Sequence, residues 1–225
     1  MSVMKQYPGQ LPQDAVLLTR EQAITHQLEL ISNWDKWSEV WPLKSGISIL
    51  GLASSFTGIY INSFYRRKFR LGRYGYMSTY IPIVVLPGMI TATLHKALIT
   101  YDIIVDQVEC PLCIQAKAAF IQCTVGCVYP LILAPLGNAM HATRHATYRL
   151  PNIMTDFRSA SKFLIKLAKP IGTQLSVIFI GQAMLGSYFT YLEAKSYYTV
   201  KQRMIETERD YDNNTRRKMN FFNKQ

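Results

Sequence analysis

Charge is what this sequence has least of. Charged residues make up 17% of its 225 positions, against about 25% in an average soluble domain. Four stretches contain no Asp, Glu, Lys or Arg: Ser45–Tyr65, Tyr74–Leu94, Ala118–Met140 and Pro170–Leu192. A helix needs about 20 such residues to cross a bilayer. Lipid accepts only backbone that satisfies its own hydrogen bonds, so the pattern predicts four transmembrane helices and argues against buried core helices of a soluble domain. The mean hydropathy of +0.03 averages these spans with polar tails. Cysteine is also scarce: four residues, all between positions 110 and 127, which excludes a disulfide-rich secreted scaffold. Met1–Pro12 has no apolar core, and the first forty residues hold Asp14, Glu21, Glu29, Asp35 and Glu39. Neither a secretory signal nor an Arg-rich, acid-poor presequence is expected, so targeting should use the spans themselves. There is no Walker loop, dinucleotide fingerprint, HExxH or GxSxG. The expectation is a protein that is not an enzyme and carries no cofactor or metal.

What is present is basic: 25 Lys plus Arg against 14 Asp plus Glu, a net +11. The positives sit beside the apolar spans, which points to lipid headgroups and topology rather than nucleic acid. The loop after span one carries Arg66, Arg67, Lys68, Arg70 and Arg73 with no acid. Between spans three and four lie Arg144, Arg149, Arg158, Lys162, Lys166 and Lys169 against Asp156. The loop between spans two and three is acidic, with Asp102, Asp106 and Glu109 against Lys96 and Lys117. The positive-inside rule places loops 66–73 and 141–169 in the cytoplasm or mitochondrial matrix, with both termini opposite. The C-terminal tail, with eight positives and five negatives, disagrees, but loops near spans weigh more.

Thr19 and Gln22 have capping-box spacing. Ile24, Leu28, Ile31 and Trp34 then recur on one helical face, followed by Trp37 and Trp41. This predicts an amphipathic helix at the membrane interface, feeding span one; docking of a soluble partner is the rival. Gly51 and Ser55, like Ser54 and Gly58, have the small-xxx-small spacing of a helix-packing face, either within the bundle or between copies. Pro82, Pro87, Pro130 and Pro135 predict kinks or breaks in spans two and three. Gln174 and Gln182 are expected to make interhelical hydrogen bonds, and Lys117 to snorkel outward. No ionisable residue falls mid-span. The tail should continue as a helix and break at Asp210–Thr215. The expected fold is an all-α membrane protein: an N-terminal segment with the amphipathic helix (1–44), a four-span bundle (45–192) and a charged, helical C-terminal tail (193–225).

Two constellations carry chemistry. Cys110-Pro-Leu-Cys113 can be a structural disulfide, two free thiols, half a zinc site or a redox pair. Cys123 and Cys127 lie inside span three, which disfavours zinc. The predicted outward placement favours the disulfide, and Asp106 and Glu109 oppose a reactive thiolate. His141 and His145, with Arg144 between them, end span three. They lack a third ligand, so contact with anionic lipid such as cardiolipin, together with the basic loops, is expected instead of a metal. Asn213-Asn214-Thr215 is a glycosylation sequon, relevant only in a secretory lumen.

Residues 45–190 resemble the transmembrane protein 126 family. The resemblance rests on Ile61-Asn62-Ser63-Phe64-Tyr65-Arg66-Arg67, Pro82 and Pro87, the acidic loop ending in Cys110-x-x-Cys113, Gly126-Cys127-Val128-Tyr129-Pro130-Leu131 and Ala134-Pro135. It implies a multi-pass protein of the mitochondrial inner membrane, with the basic loops facing the matrix. It further implies a scaffold or chaperone assisting assembly of the membrane arm of respiratory complex I. Its partners would be membrane-arm subunits and other assembly factors. The rival is a four-span thiol–quinone oxidoreductase using Cys110 and Cys113.

Overall fold

The computed structural model describes residues 18–108, 110–148, 163 and 166–222, with backbone only for 212 and 216–222. Met1–Pro12, Glu109, Arg149, Asp156, Arg158 and Lys162, which entered the charge argument, lie outside the described residues. Among the described residues every regular element is helical. Helix α1 spans Arg20–Ser32. Four longer helices are apolar enough to cross a membrane: α2 (Trp37–Lys68), α3 (Tyr76–Ile104), α4 (Pro111–Arg144) and α5 (Gly172–Phe222). The chain is an all-α membrane protein with four transmembrane helices.

The capping box at α1 forms: the Thr19 hydroxyl accepts from the Gln22 amide, and the Gln22 side chain accepts from the Thr19 amide. The apolar face of α1 is turned onto the protein. Ile31 is buried, and Ile24, Leu28 and Trp34 pack with Ile103, Ile104, Tyr197 and Val200.

Each span outruns its uncharged stretch. The prolines do not break their helices. Pro82 lies within a π turn at Ile81–Val85, and another π turn, Thr124–Val128, ends two residues before Pro130. A π turn admits an extra residue, which lets the chain carry a ring that lacks an N–H without ending the helix. A third π turn spans Lys96–Thr100. The break expected at Asp210–Thr215 is absent, and α5 runs on to Phe222. That segment has no Pro or Gly. Asn, Asp and Thr each weaken a helix by less than about 0.7 kcal/mol, and the Thr215 hydroxyl bonds back to the Tyr211 carbonyl.

Helix α2 packs against α3, α4 and α5. It touches α3 backbone to backbone: a Cβ on Gly51 would come within 2.9 Å of the Gly88 carbonyl oxygen. A Cβ on Gly88 would overlap the Ser55 hydroxyl, and one on Gly58 would overlap the Ile83 carbonyl. The Gly51–Ser55 face is therefore turned to α3 inside the bundle, not outward toward a partner.

Candidate functional site

The bundle interior carries polar residues in layers. In the middle, the buried Gln122 amide of α4 donates to the Leu50 carbonyl (3.1 Å) and the Ser54 hydroxyl (3.2 Å) of α2. Its two N–H groups are shared between these acceptors and the Gln182 side-chain oxygen of α5 (2.6 Å). Gln182 in turn donates to the Ala53 carbonyl and the Thr57 hydroxyl. Ser54 reaches Thr91 of α3, so one layer ties all four spans. Gln174 takes no part and is exposed. A second layer pairs the buried Asn138 with Asn62 at 2.8 Å.

A third layer was not foreseen. Glu193 is fully buried, 3.2 Å from the His95 Nε2 and accepting from the Thr100 hydroxyl at 3.0 Å. Gly46 makes room: a Cβ there would come within 3.1 Å of the Glu193 carboxylate. His95 and Glu193 directly follow Leu94 and Leu192, the last residues of two uncharged stretches. That position was the available signal. Their pairing, 98 residues apart, was not readable from local sequence.

At one end of the bundle the charges are matched. Asp102 meets Arg20 at 2.9 Å and Lys117 at 3.4 Å. Lys117 also donates to the Leu98 carbonyl, so it is held in place rather than snorkelling freely. Asp106 meets Lys201 at 2.6 Å, and Glu39 meets Arg203 at 2.9 Å. Cys110 caps α4, its sulfur accepting from the Cys113 amide. The two sulfurs are in contact and the Cα atoms are 5.2 Å apart, within the span of a disulfide. Cys123 and Cys127 are buried thiols. Ten residues of helix, about 15 Å, separate Cys113 from Cys123. Among the described residues no three His, Cys, Asp or Glu side chains gather in a way that could hold a metal ion.

At the other end sit the basic residues. Arg66, expected to face headgroups, is instead buried. Its guanidinium donates to the Gly72, Tyr74 and Gly75 carbonyls and to the Thr79 hydroxyl. It folds the turn between α2 and α3 around itself. Gly75 closes that turn at φ +57°, where a Cβ would also meet the His141 ring at 2.6 Å. Arg67, Lys68, Arg70 and Arg73 remain exposed. The His141 Nε2 lies 3.1 Å from the Ser78 hydroxyl, and His145 stacks on Tyr74 at 4.6 Å. Arg144 is exposed beside them, on the rim of a cleft between α3 and α4.

Comparison with known sequences bears on this bundle as a whole. The profile of the family described as Transmembrane protein 126 matches residues 20–209. The chain belongs to the transmembrane protein 126 family. Its relatives include Transmembrane protein 126 of Drosophila melanogaster, 40% identical over 209 residues, covering 92% of this chain and 94% of that one. Transmembrane protein 126A of Mus musculus is 23% identical over 146 residues, 65% of this chain and 72% of that one. The Mus musculus protein named Complex I assembly factor TMEM126B, mitochondrial, is 28% identical over 106 residues, 47% of this chain and 45% of that one. No solved structure matches. The matched segment of this transmembrane protein 126 chain takes in α1, all four spans and the ion-paired end.

Proposed function

We propose that this chain is a non-enzymatic assembly factor of the mitochondrial inner membrane, holding membrane-arm segments of respiratory complex I before their final partners arrive. The observation that carries the reading is kinship with a protein named a mitochondrial complex I assembly factor. The structure supports it physically. Polar side chains inside the bundle bond span to span, and the cysteines do not form a relay. A thiol–quinone enzyme would need its second pair within exchange distance of the first, and Cys123 lies about 15 Å along the helix.

Basic loops 66–73 and 141–169 face the matrix in this reading, against anionic lipid such as cardiolipin. Client contact falls to the outward face of α5, where Val177, Ile180 and Met184 are exposed. It does not fall to Gly51 and Ser55, which α3 covers. Cys110 and Cys113 form a structural disulfide on the intermembrane side.

Depletion should lower assembled complex I and leave membrane-arm intermediates, with other respiratory complexes near normal. Native electrophoresis with mass spectrometry reads this. An unchanged complex I profile, with the protein migrating apart from every complex I subunit, would sink the proposal. Replacing Cys110 and Cys113 together by Ser should leave assembly intact at somewhat lower abundance, because so short a bridge closes little loop entropy. Complete loss of assembly at normal protein level would return the argument to a redox pair.

A further inference from the structure

The cleft between α3 and α4 at the basic end encloses about 480 Å³, within the range of about 300–1,000 Å³ usual for ligand sites. Its chemistry is graded along the helices. The rim carries Arg144, His141 and Ser78, and the floor carries Ile83, Leu133 and Gly137. From Arg144 to Leu133 is 11 residues of one helix, about 16 Å along its axis. Gly137 keeps the floor open: a Cβ there would find only the Ile83 Cδ1, at 3.9 Å.

Charge decides the occupant. Among the described residues Arg144 has no ion-pair partner, and the described ion pairs lie at the other end of the bundle or, for His95–Glu193, in its interior. Of the 14 acidic residues only Asp156 belongs to the connecting segments at this end. A soluble anion would use the rim and leave the apolar floor uncovered. A membrane lipid uses both.

We propose that this cleft is a phospholipid site, selective for an anionic headgroup. The phosphate sits at Arg144 beside His141 and Ser78, and one acyl chain lies along Ile83, Leu133 and Gly137. This rests on the reading of the basic end as lipid-facing, and it locates one bound lipid where a diffuse basic surface would hold many. It does not depend on the role in complex I assembly.

The test uses the purified full chain in nanodiscs of phosphatidylcholine with a minority of cardiolipin, followed by native mass spectrometry of retained lipid. The parent should retain cardiolipin over phosphatidylcholine. Arg144→Gln should weaken that retention by about fivefold, the contribution of one basic residue at an anionic surface. Gly137→Leu, which fills the floor, should exclude both lipids. The double change of Arg67 and Lys68 to Gln, outside the cleft, should weaken retention less than Arg144→Gln does. Should Gly137→Leu fail to fold, Arg144→Glu on the exposed rim carries the test, abolishing the cardiolipin preference. The proposal is overturned if Arg144→Gln or a folded Gly137→Leu retains cardiolipin like the parent. It is equally overturned if the Arg67 and Lys68 change loses as much, which would mean a diffuse surface. Displacement of the lipid by soluble glycerol phosphate would show that the apolar floor contributes nothing, and would overturn it too. Complex I assembly after the same substitutions is scored separately, so failure of the assembly reading leaves the lipid result standing.

Discussion

The two ends of the bundle use charge in opposite ways. At the end formed by α1, the α3–α4 connection and the middle of α5, cations meet carboxylates: Arg20 and Lys117 at Asp102, Lys201 at Asp106, Arg203 at Glu39. At the other end, among the described residues, no cation meets a carboxylate. Arg66 is wrapped in carbonyls, and Arg67, Lys68, Arg70, Arg73 and Arg144 stay exposed. The first end is closed onto itself. The second leaves its charge exposed, and in the lipid-facing reading proposed above that charge meets the headgroup layer.

The comparison can be broken at its anchors. Glu193→Ala should destabilise most, by about 3 kcal/mol, because it leaves His95 without its buried partner. Changing both Glu193 and His95 to Ala should recover part of that loss, since the pair is coupled. Thermal unfolding in mild detergent checks both, and strict additivity would mean that the two residues do not interact. Next comes Arg66→Gln, which removes charged donors from the turn after α2. A loss of about 2 kcal/mol is expected, with exchange protection falling in residues 69–75 and not around Asp102. The smallest effect sharpens the contrast. Lys201→Ala should cost about 0.5 kcal/mol at low salt and less at high salt. Arg67→Gln, having no carboxylate partner, should cost nothing measurable at either. Equal losses from the two substitutions would erase the distinction between the ends.

The spans were legible because desolvating a charge in lipid is costly, so their positions show as gaps in the charge pattern. The gaps understate the helices. Asp102 and Lys117 lie beyond them yet remain helical, since each has a partner across the α3–α4 connection. Arg66 misled for a related reason. Its place in a basic run suggests an outward charge, but four acceptors from a turn that had no local signature draw it in. Gln182 was read correctly as an interhelical donor, whereas Gln174, on the same span, faces outward. Residue type alone does not separate the two. The small-residue spacing of Gly51 and Ser55 marked a close contact, and only the facing Gly88 tells which helix fills it.

The order in which a ribosome delivers this chain gives the central polar layer a further meaning. Gln122 leaves the ribosome with its α2 partners already made, but Gln182, whose oxygen it needs, belongs to the last span. His95 and Thr100 wait for Glu193 in the same way. Until α5 is inserted, His95 and Thr100 lack the carboxylate that engages them, and Gln122 lacks the Gln182 oxygen. α5 is thus the closing piece, and a chain halted before residue 172 should be recognised as unfinished and degraded.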